Sequence, residues 1–277
     1  MSALEIVRLM NREDAKVAQA VRRAIPSVAR AVKEIVARMK TGGRLIYVGA
    51  GTSGRIGILD ASECPPTFGV PPGLVRGVIA GGRRAITKSI EGVEDRAADG
   101  ARDLRRLRLT RKDSVAGIAA SGSTPYVLGA IAYAKKRGAL TIGVTSNRQS
   151  PLAKSARISV TSEVGPEILA GSTRLKAGTS QKMVLNMLST AAMVRLGHAY
   201  DNLMIDMGEA NEKLRERAQW ILQEASGKSV SAVTRALRQT GHDLRLALIL
   251  LKRGVSSAEA RRILKESGGN LRSALGG

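Results

Sequence analysis

The chain has 277 residues, of which 43% are hydrophobic and 25% are charged, a balance typical of a folded soluble protein and not of a disordered one. The 45 lysines and arginines outnumber 23 acidic residues, which gives a formal net charge of +22, but only 2% of residues are aromatic. Since the basic residues are spread along the chain and few rings can stack on bases, the charge indicates a basic surface or attraction of anionic substrates more than a nucleic-acid partner.

The sequence also bears on compartment and metal content. No apolar run approaches the roughly 20 residues that span a bilayer, and the N-terminus has no signal-peptide pattern. The single cysteine, Cys64, excludes an internal disulfide and suits a reducing compartment. One cysteine and two histidines, His198 and His242, cannot supply a structural zinc cluster. We therefore expect a cytoplasmic protein with no metal site and no membrane partner.

The first two thirds of the chain alternate predicted helices and strands. Apolar residues from Leu4 to Met39 recur at helical spacing, and Pro26 predicts that one helix ends there and another begins. Later apolar runs are short and predict strands, most of them separated by helical segments such as Tyr126 to Lys136. The five predicted strands are residues 44–49, 74–80, 114–119, 140–145 and 157–161. This alternation predicts parallel βαβ units in an α/β sandwich.

The last part of the chain is predicted to be entirely helical. Gly178 to Leu196 is largely apolar and should form a long buried helix. From Glu209 onward, helical patterns are interrupted at residues 226–227, 240–241, 254 and 268–269, which delimit three or four short helices. We therefore predict a large domain over residues 1–208 and a small helical domain over residues 209–277.

A glycine-rich loop, Gly49–Gly54, follows the first predicted strand and precedes a helix. Its sequence fits G-x-G-x-x-G, but a dinucleotide site also needs an acidic residue at the end of the next strand, where none is found. A P-loop needs Gly-Lys-Ser/Thr, whereas Arg55 follows the last glycine. The remaining readings are a tight turn without ligand and a loop that holds one phosphate. The candidate phosphate-binding residues are Gly51, Thr52 and Ser53.

A second loop of small and hydroxyl residues, 120–125, follows the third predicted strand and favours the phosphate reading. The carboxyl ends of parallel strands meet at one edge of a sheet, where such sheets bind ligands, so the two loops should converge on a sugar phosphate. Thr124 is placed to cap the next helix with Pro125 at its first position, which gives its hydroxyl a structural role as well. A third loop, 171–178, adds hydroxyls and two cations. The candidate contacts in the second loop are Ser121, Gly122, Ser123 and Thr124.

Several acidic residues lie close to these loops. Glu63 lies just before Pro65 and Pro66, which predict the end of the first loop's helix. Glu91, Glu94 and Asp95 follow a Gly-Gly turn. Most acidic residues near loops are solvated or cap helices, so the pattern alone does not select a catalytic pair.

Several long motifs occur in order along the chain. The longest, residues 45–69, reads LIYVGAGTSGRIGILDASECPPTFG. The others are residues 79–82, 91–95, 117–122, 171–179, 182–190 and 211–214. Together these motifs resemble the N-acetylmuramic acid 6-phosphate etherase family. The resemblance runs from about residue 4 to the C-terminus. It implies a sugar isomerase (SIS) fold, a three-layer α/β sandwich with a parallel sheet, followed by a small all-helical domain. It also implies a homodimer, and SIS sites commonly borrow residues from the neighbouring subunit.

The resemblance implies a reaction without metal or cofactor that belongs to cell-wall recycling. The D-lactyl ether of N-acetylmuramic acid 6-phosphate is cleaved by elimination and water addition, giving N-acetylglucosamine 6-phosphate and D-lactate. The open-chain aldehyde acidifies the proton on carbon 2, so a carboxylate can remove it, while a carboxylic acid must protonate the leaving ether oxygen. By motif position, Glu63 resembles that acid and Glu94 resembles the base. Ser53 and residues 121–124 resemble the sugar and phosphate contacts.

Two departures and two rival functions accompany the resemblance. Position 123 is serine where the family usually has arginine, which removes a cation near the expected phosphate, and family members usually begin upstream of the first helix. A non-catalytic sugar-phosphate-binding regulator of the same fold is the alternative function. Retention of Glu63 and Glu94 argues against it, because a sensor needs neither acid nor base. A sugar-phosphate isomerase would need the base but would not explain the acid.

Overall fold

The computed structural model describes residues 1–207 and 212–276, which form two compact units. The first unit contains Met1–Ser62 and Pro72–Ala192, and the second contains Glu63–Pro71 and Met193–Gly277. The predicted domain boundary between residues 208 and 209 lies outside the described residues, as does the first residue of the motif at 211–214.

Twelve helices and five strands occur in the described residues. In chain order they are α1 (Ala3–Met39), β1 (Leu45–Gly49), α2 (Gly51–Phe68), β2 (Val75–Ile79), α3 (Arg84–Thr87), α4 (Ala97–Arg106), β3 (Ser114–Ile118), α5 (Pro125–Lys136), β4 (Leu140–Thr145), α6 (Pro151–Ser155), β5 (Ile158–Thr161), α7 (Lys176–Leu196), α8 (Glu212–Ser226), α9 (Val230–Thr240), α10 (Leu244–Arg253), α11 (Ser257–Glu266) and α12 (Leu271–Ala274). None of these helices is long and apolar enough to cross a membrane.

The first helix, α1, is continuous over 37 residues. It begins with a capping box, in which Ser2 Oγ accepts the N–H of Glu5 and the Glu5 carboxylate accepts the N–H of Ser2. The prediction of two helices separated at Pro26 is wrong, because Pro26 lies inside the helix. Proline removes one helical hydrogen bond, but buried residues on both sides, from Val17 to Met39, keep one face of the helix in the core. That burial outweighs the lost bond.

The sheet has the strand order β2-β1-β3-β4-β5, and every neighbouring pair is parallel. All five predicted strands are confirmed within one residue at each end. Every residue of β1, β3 and β4 is buried, as expected where helices cover both faces of a parallel sheet. The α/β fold with a parallel sheet is therefore confirmed. After β1 the chain adds β2 on one side and then β3 on the other, which creates a topological switch point between β1 and β3.

The second unit contains five short helices, α8 to α12, in its described residues. The predicted breaks are confirmed, since α8, α9, α10 and α11 end within two residues of them. The predicted number of three or four helices is wrong, because the chain forms the additional four-residue α12 after the last break. Asn270 caps α12 by accepting the N–H of Ser273, and Leu271 and Ala274 bury it in the core of the unit.

Candidate active site

The glycine-rich segment lies at the start of α2. This helix begins at Gly51, so Gly51, Thr52 and Ser53 form its first turn, where helix geometry leaves N–H groups without carbonyl partners. The positive end of the helix dipole lies at the same place. Gly51 is exposed with φ 51°, and a side chain added there would meet no atom within 4 Å. The first turn of α2 is therefore open to an anion.

Gly49 and Gly54 of the same motif have a packing role. A Cβ atom at Gly54 would lie 2.5 Å from Cγ1 of Ile79, and one at Gly49 would lie 2.7 Å from the nitrogen of Gly54. Both distances are shorter than any real Cβ contact, so only glycine lets α2 pack this closely on β1 and β2. Part of the G-x-G-x-x-G pattern therefore reflects helix–sheet packing and not ligand binding.

The second predicted loop, residues 120–125, falls at the connection between β3 and α5, which the structure forms from residues 119–124. Gly122 is buried with φ 69°, and a Cβ atom there would lie 2.2 Å from Oγ of Ser150. On either side of it, Ser121 and Ser123 are exposed, and Oγ of Ser123 donates to Oγ of Ser121 at 2.9 Å. The glycine turn thus presents two hydroxyls at the surface.

Thr124 occupies the predicted N-cap position of α5, and Pro125 is the first helical residue. The structural role predicted for the Thr124 hydroxyl is not observed, because its side chain makes no capping hydrogen bond. The missing N–H of Pro125 already removes one of the donors that a cap would satisfy.

The sheet brings the first two loops together. Gly49 in β1 is paired with Ile118 in β3, and the two loops continue from these ends on the same edge of the sheet. They therefore meet at the switch point between β1 and β3, where doubly wound sheets bind ligands. This convergence was predicted from the sequence.

The third loop contributes less charge than its sequence suggests. The Lys176 side chain is only 2% exposed, and its ammonium lies 2.6 Å from Oε2 of Glu13 on α1. Hydrogen bonds from Lys16 and then from Lys176 lower the pKa of Glu13 to about 2. One of the two predicted cations is therefore neutralised within the protein. The start of α7 still lies beside the phosphate loop, since a Cβ atom at Gly178 would be 3.6 Å from Cγ2 of Thr52.

Glu94 lines a cavity of about 140 Å³ next to the first turn of α2. Its backbone carbonyl accepts the N–H of Tyr126 at 2.9 Å, which ties it to the start of α5. The Glu94 side chain is exposed, whereas Tyr126 is buried and donates its hydroxyl to Asp103 at 2.9 Å. Burial and the Asp103 carboxylate raise the pKa of Tyr126. The lining residues are Gly51, Arg55, Ala80, Ala85, Lys88, Ser89, Ile90, Glu91, Gly92, Val93 and Glu94.

Two cations in this cavity, Arg55 and Lys88, were missed in the sequence. Arg55 donates from Nε to the carbonyl of Ile86 and from Nη2 to the carbonyl of Lys88, both at 2.9 Å. A signal for Arg55 was present, because it lies four residues after Gly51 and so on the same face of α2. Lys88 had no such signal, because the four-residue helix α3 that precedes it is too short to show a helical pattern of apolar residues.

Glu63 lies much further along α2 and is exposed. The prediction that the double proline ends this helix is wrong, because α2 continues through Pro65 and Pro66 to Phe68. The carbonyl of Pro65 accepts the N–H of Gly69 and closes the last turn, and Phe68 is buried in the second unit. Glu63 lies 12 residues beyond Gly51, a separation of about 18 Å along the helix axis. The helix thus does not bring Glu63 to the end where Gly51 and Ser53 lie.

Named relatives match almost the whole chain. An N-acetylmuramic acid 6-phosphate etherase of Serratia proteamaculans is 52% identical over 275 residues, which cover 99% of this chain and 93% of the relative. A protein of the same name from Caldanaerobacter subterraneus subsp. tengcongensis is 50% identical, with 99% and 90% covered. The chain belongs to the N-acetylmuramic acid 6-phosphate etherase family. The resemblance found in the motifs is therefore confirmed.

The SIS fold expected for a member of the etherase family is also confirmed. Residues 93–191 match the SIS domain, and residues 27–135 match the glucokinase regulatory protein N-terminal SIS domain. A phosphoheptose isomerase from Francisella tularensis has the same fold at 19% identity, with a TM-score of 0.56 over 70% of this chain and 100% of that one.

Proposed function

We propose that this protein is a carbon–oxygen lyase that cleaves the D-lactyl ether of N-acetylmuramic acid 6-phosphate, releasing D-lactate and N-acetylglucosamine 6-phosphate. The observation that carries the proposal is that Glu94 and Gly51, the first residue of α2, line one cavity. A carboxylate and the N-terminus of a helix in the same cavity suit a sugar that is held by its phosphate while a proton is removed from it. The identity with relatives of that name over 99% of the chain supports the same substrate.

The phosphate is bound at the switch point between β1 and β3. Gly51, Thr52 and Ser53 lie at the positive end of α2, where their N–H groups can donate to phosphate oxygens. The hydroxyls of Ser121 and Ser123 are exposed on the neighbouring loop and can donate to phosphate oxygens. In the same loop, the positive φ of Gly122 forms the turn between the two serines. The Thr124 side chain makes no capping hydrogen bond, so its hydroxyl can also donate to the phosphate.

Glu94 acts as the base. Its carboxylate removes the proton on carbon 2 of the open-chain sugar, the electron pair forms a double bond to carbon 3, and the bond from carbon 3 to the lactyl oxygen breaks. Water then adds at carbon 3 as its proton passes to the carboxylate that protonated the lactyl oxygen, and Glu94 returns the proton to carbon 2. The hydrogen bond between the Glu94 carbonyl and Tyr126 supports this role, because it fixes the backbone of the base beside the second loop.

Glu63 acts as the acid that protonates the departing lactyl oxygen, and we assign this role to Glu63 of the partner subunit in a homodimer. The about 18 Å of helix between Gly51 and Glu63 is longer than a glutamate side chain and a monosaccharide ring can bridge. In a two-fold dimer both subunits use the same surface patch at the interface. Two equivalent sites would therefore form, each with Glu94 of one chain and Glu63 of the other.

The alternative is a regulator that binds the sugar phosphate without chemistry. The match of residues 27–135 to a regulatory-protein SIS domain is the feature it would share. It is less favoured, because relatives named as etherases align with 99% of the chain and both glutamates are retained. We further propose a cytoplasmic location, where a phosphorylated sugar from cell-wall recycling would be available.

The test is to incubate the protein with N-acetylmuramic acid 6-phosphate and to measure D-lactate. We expect stoichiometric D-lactate and N-acetylglucosamine 6-phosphate from the wild type. The regulator alternative predicts binding of the sugar phosphate without any lactate.

A further inference from the structure

The cavity beside Glu94 contains two positively charged side chains, Arg55 and Lys88. The proposed phosphate contacts lie outside this cavity except for Gly51, and the proposed acid–base chemistry uses neither cation. A cavity with its own charge beside the catalytic base needs an explanation in terms of the ligand.

Lys88 is held firmly by its backbone. It ends α3, where its N–H donates to the carbonyl of Arg84 at 3.1 Å, and its own carbonyl accepts Nη2 of Arg55 at 2.9 Å. Arg55 also donates to the carbonyl of Ile86, so its guanidinium fixes the segment of chain that carries Lys88. The lysine side chain therefore starts from a fixed point at the cavity wall.

The charge of Lys88 has no carboxylate partner within residues 1–207 and 212–276. Two other cations of the first unit, one buried and one half-buried, do have one. Lys176 pairs with Glu13 at 2.6 Å, and Arg44 pairs with Asp113 at 2.9 Å. Fold stability thus accounts for those two cations, whereas Lys88 remains available to an anion from solution.

The sheet order separates the hydroxyl loop from the segment that carries Lys88. The hydroxyl loop at Ser121 follows β3, on one side of β1, whereas residues 80–94 follow β2, on the other side. Glu94 lies at the end of that segment, where its carbonyl binds Tyr126 behind the hydroxyl loop. Lys88 and Glu94 line the same cavity, so a substituent on carbon 3, next to the carbon held at Glu94, would lie in the cavity that Lys88 also lines.

We propose that Lys88, held in place by Arg55, binds the carboxylate of the lactyl group. This inference rests on the proposed function. The lactyl ether is attached to carbon 3, next to the carbon from which Glu94 takes the proton, so its carboxylate lies within a few bonds of the base. A cation there aligns the leaving group for elimination and distinguishes the substrate from N-acetylglucosamine 6-phosphate, which carries the phosphate but no second anion.

The test measures binding separately from turnover. Dissociation constants for N-acetylmuramic acid 6-phosphate and N-acetylglucosamine 6-phosphate are determined by calorimetry in the Glu94→Gln protein, with and without Lys88→Gln. We expect Lys88→Gln to weaken binding of the lactyl sugar about 10-fold and to leave binding of the other sugar within about two-fold. Lys88→Arg should retain most of the affinity, because it keeps the charge. Arg83→Gln, an exposed cation one turn away that does not line the cavity, is the matched control and should change neither constant.

Equal weakening of both sugars would overturn the proposal, since Lys88 would then bind the phosphate, and so would no change in either. D-lactate release by the wild type is measured in parallel. If the wild type releases lactate but Lys88→Gln does not selectively weaken binding of the lactyl sugar, the carboxylate subsite is refuted and the etherase activity is not. The selective loss without lactate release refutes the etherase activity and still supports the subsite.

Discussion

The backbone N–H of Tyr126 donates to the carbonyl oxygen of Glu94 at 2.9 Å. Tyr126 is the second residue of α5, directly after the loop that carries the serine hydroxyls. The bond therefore couples the position of the proposed base to the position of the proposed phosphate contacts. It also explains how a glutamate on a segment without regular structure can have a fixed backbone.

The Gly122 turn should be sensitive to any side chain. Gly122→Ala places a Cβ atom against Ser150 in a backbone conformation with φ 69°, so we expect a loss of about 2–4 kcal/mol in the free energy of unfolding. Chemical denaturation measures it. Gly165→Ala is the matched control, because Gly165 has φ 72° and open space around it; its loss should be only about 1 kcal/mol. Equal losses in the two variants would contradict the steric argument.

Ser123→Arg should strengthen binding of the phosphate. Ser123 is exposed and its hydroxyl donates to the neighbouring Ser121, so a longer side chain can extend toward solvent or ligand. The new cation should lower the dissociation constant for N-acetylglucosamine 6-phosphate by about three- to ten-fold, measured by calorimetry. Ser123→Ala, which adds no charge, should not strengthen binding. A weaker or unchanged affinity in Ser123→Arg would place the phosphate elsewhere.

The Arg44–Asp113 pair should make stability depend on pH. Burial acts to raise the pKa of Asp113, but hydrogen bonds from Arg44 and Thr110 outweigh it, so the pKa is lowered. A carboxyl with a lowered pKa stabilises the fold above its unfolded pKa, and this stabilisation is lost as pH falls through the folded pKa. Asp113→Asn should therefore cost about 2–3 kcal/mol at pH 7 and progressively less in strong acid, as measured by urea unfolding across pH.

The control for that pair is Asp99→Asn on α4. Asp99 pairs with Arg102 at 2.8 Å, but the two side chains are 25% and 50% exposed, whereas that of Asp113 is 2% exposed. Its loss should stay below about 1 kcal/mol at every pH. A cost for Asp113→Asn that does not shrink in acid would show that the pair does not carry the stability assigned to it.

Mixing two inactive variants should restore activity if the site is shared between subunits. Glu63→Gln and Glu94→Gln homodimers each lack one group at both sites, whereas a mixed dimer has one intact site and one that lacks both groups. After subunit exchange in equal amounts, D-lactate release should reach about one quarter of the wild-type rate, because about half of the dimers are mixed. A mixture no faster than the separate variants would mean that both glutamates act within one chain or that Glu63 is not the acid.

Much of the fold was predictable because its signals are local. The buried strands β1, β3 and β4 are short apolar runs followed by glycine or hydroxyl loops, and their limits were placed within one residue. Proline misled the prediction in α1 and α2, where Pro26 and the Pro65–Pro66 pair lie inside helices. In α1 the decisive factor was burial along the rest of the helix, which depends on tertiary packing and not on the residues next to the proline.

The candidate site was predictable only in part. The convergence of the two loops follows from strand order and so from the pattern of elements. The pairing of Lys176 with Glu13, which lie 163 positions apart, has no local signature, and neither does the contact of Arg55 with the carbonyl of Lys88. The roles of Glu63 and Glu94 came from the resemblance to the etherase family, since spacing alone did not distinguish them from solvated carboxylates.

The most direct test of the central claim compares D-lactate release from N-acetylmuramic acid 6-phosphate by the wild type and by Glu94→Gln. We predict that the wild type releases lactate, and that the variant is slower by at least about 100-fold while it still binds N-acetylglucosamine 6-phosphate. Glu91→Gln, which changes an exposed carboxylate on the same cavity wall, is the matched control for charge and should retain turnover. Undiminished lactate release by Glu94→Gln, or none by the wild type, would contradict the assignment of Glu94 as the base of an etherase.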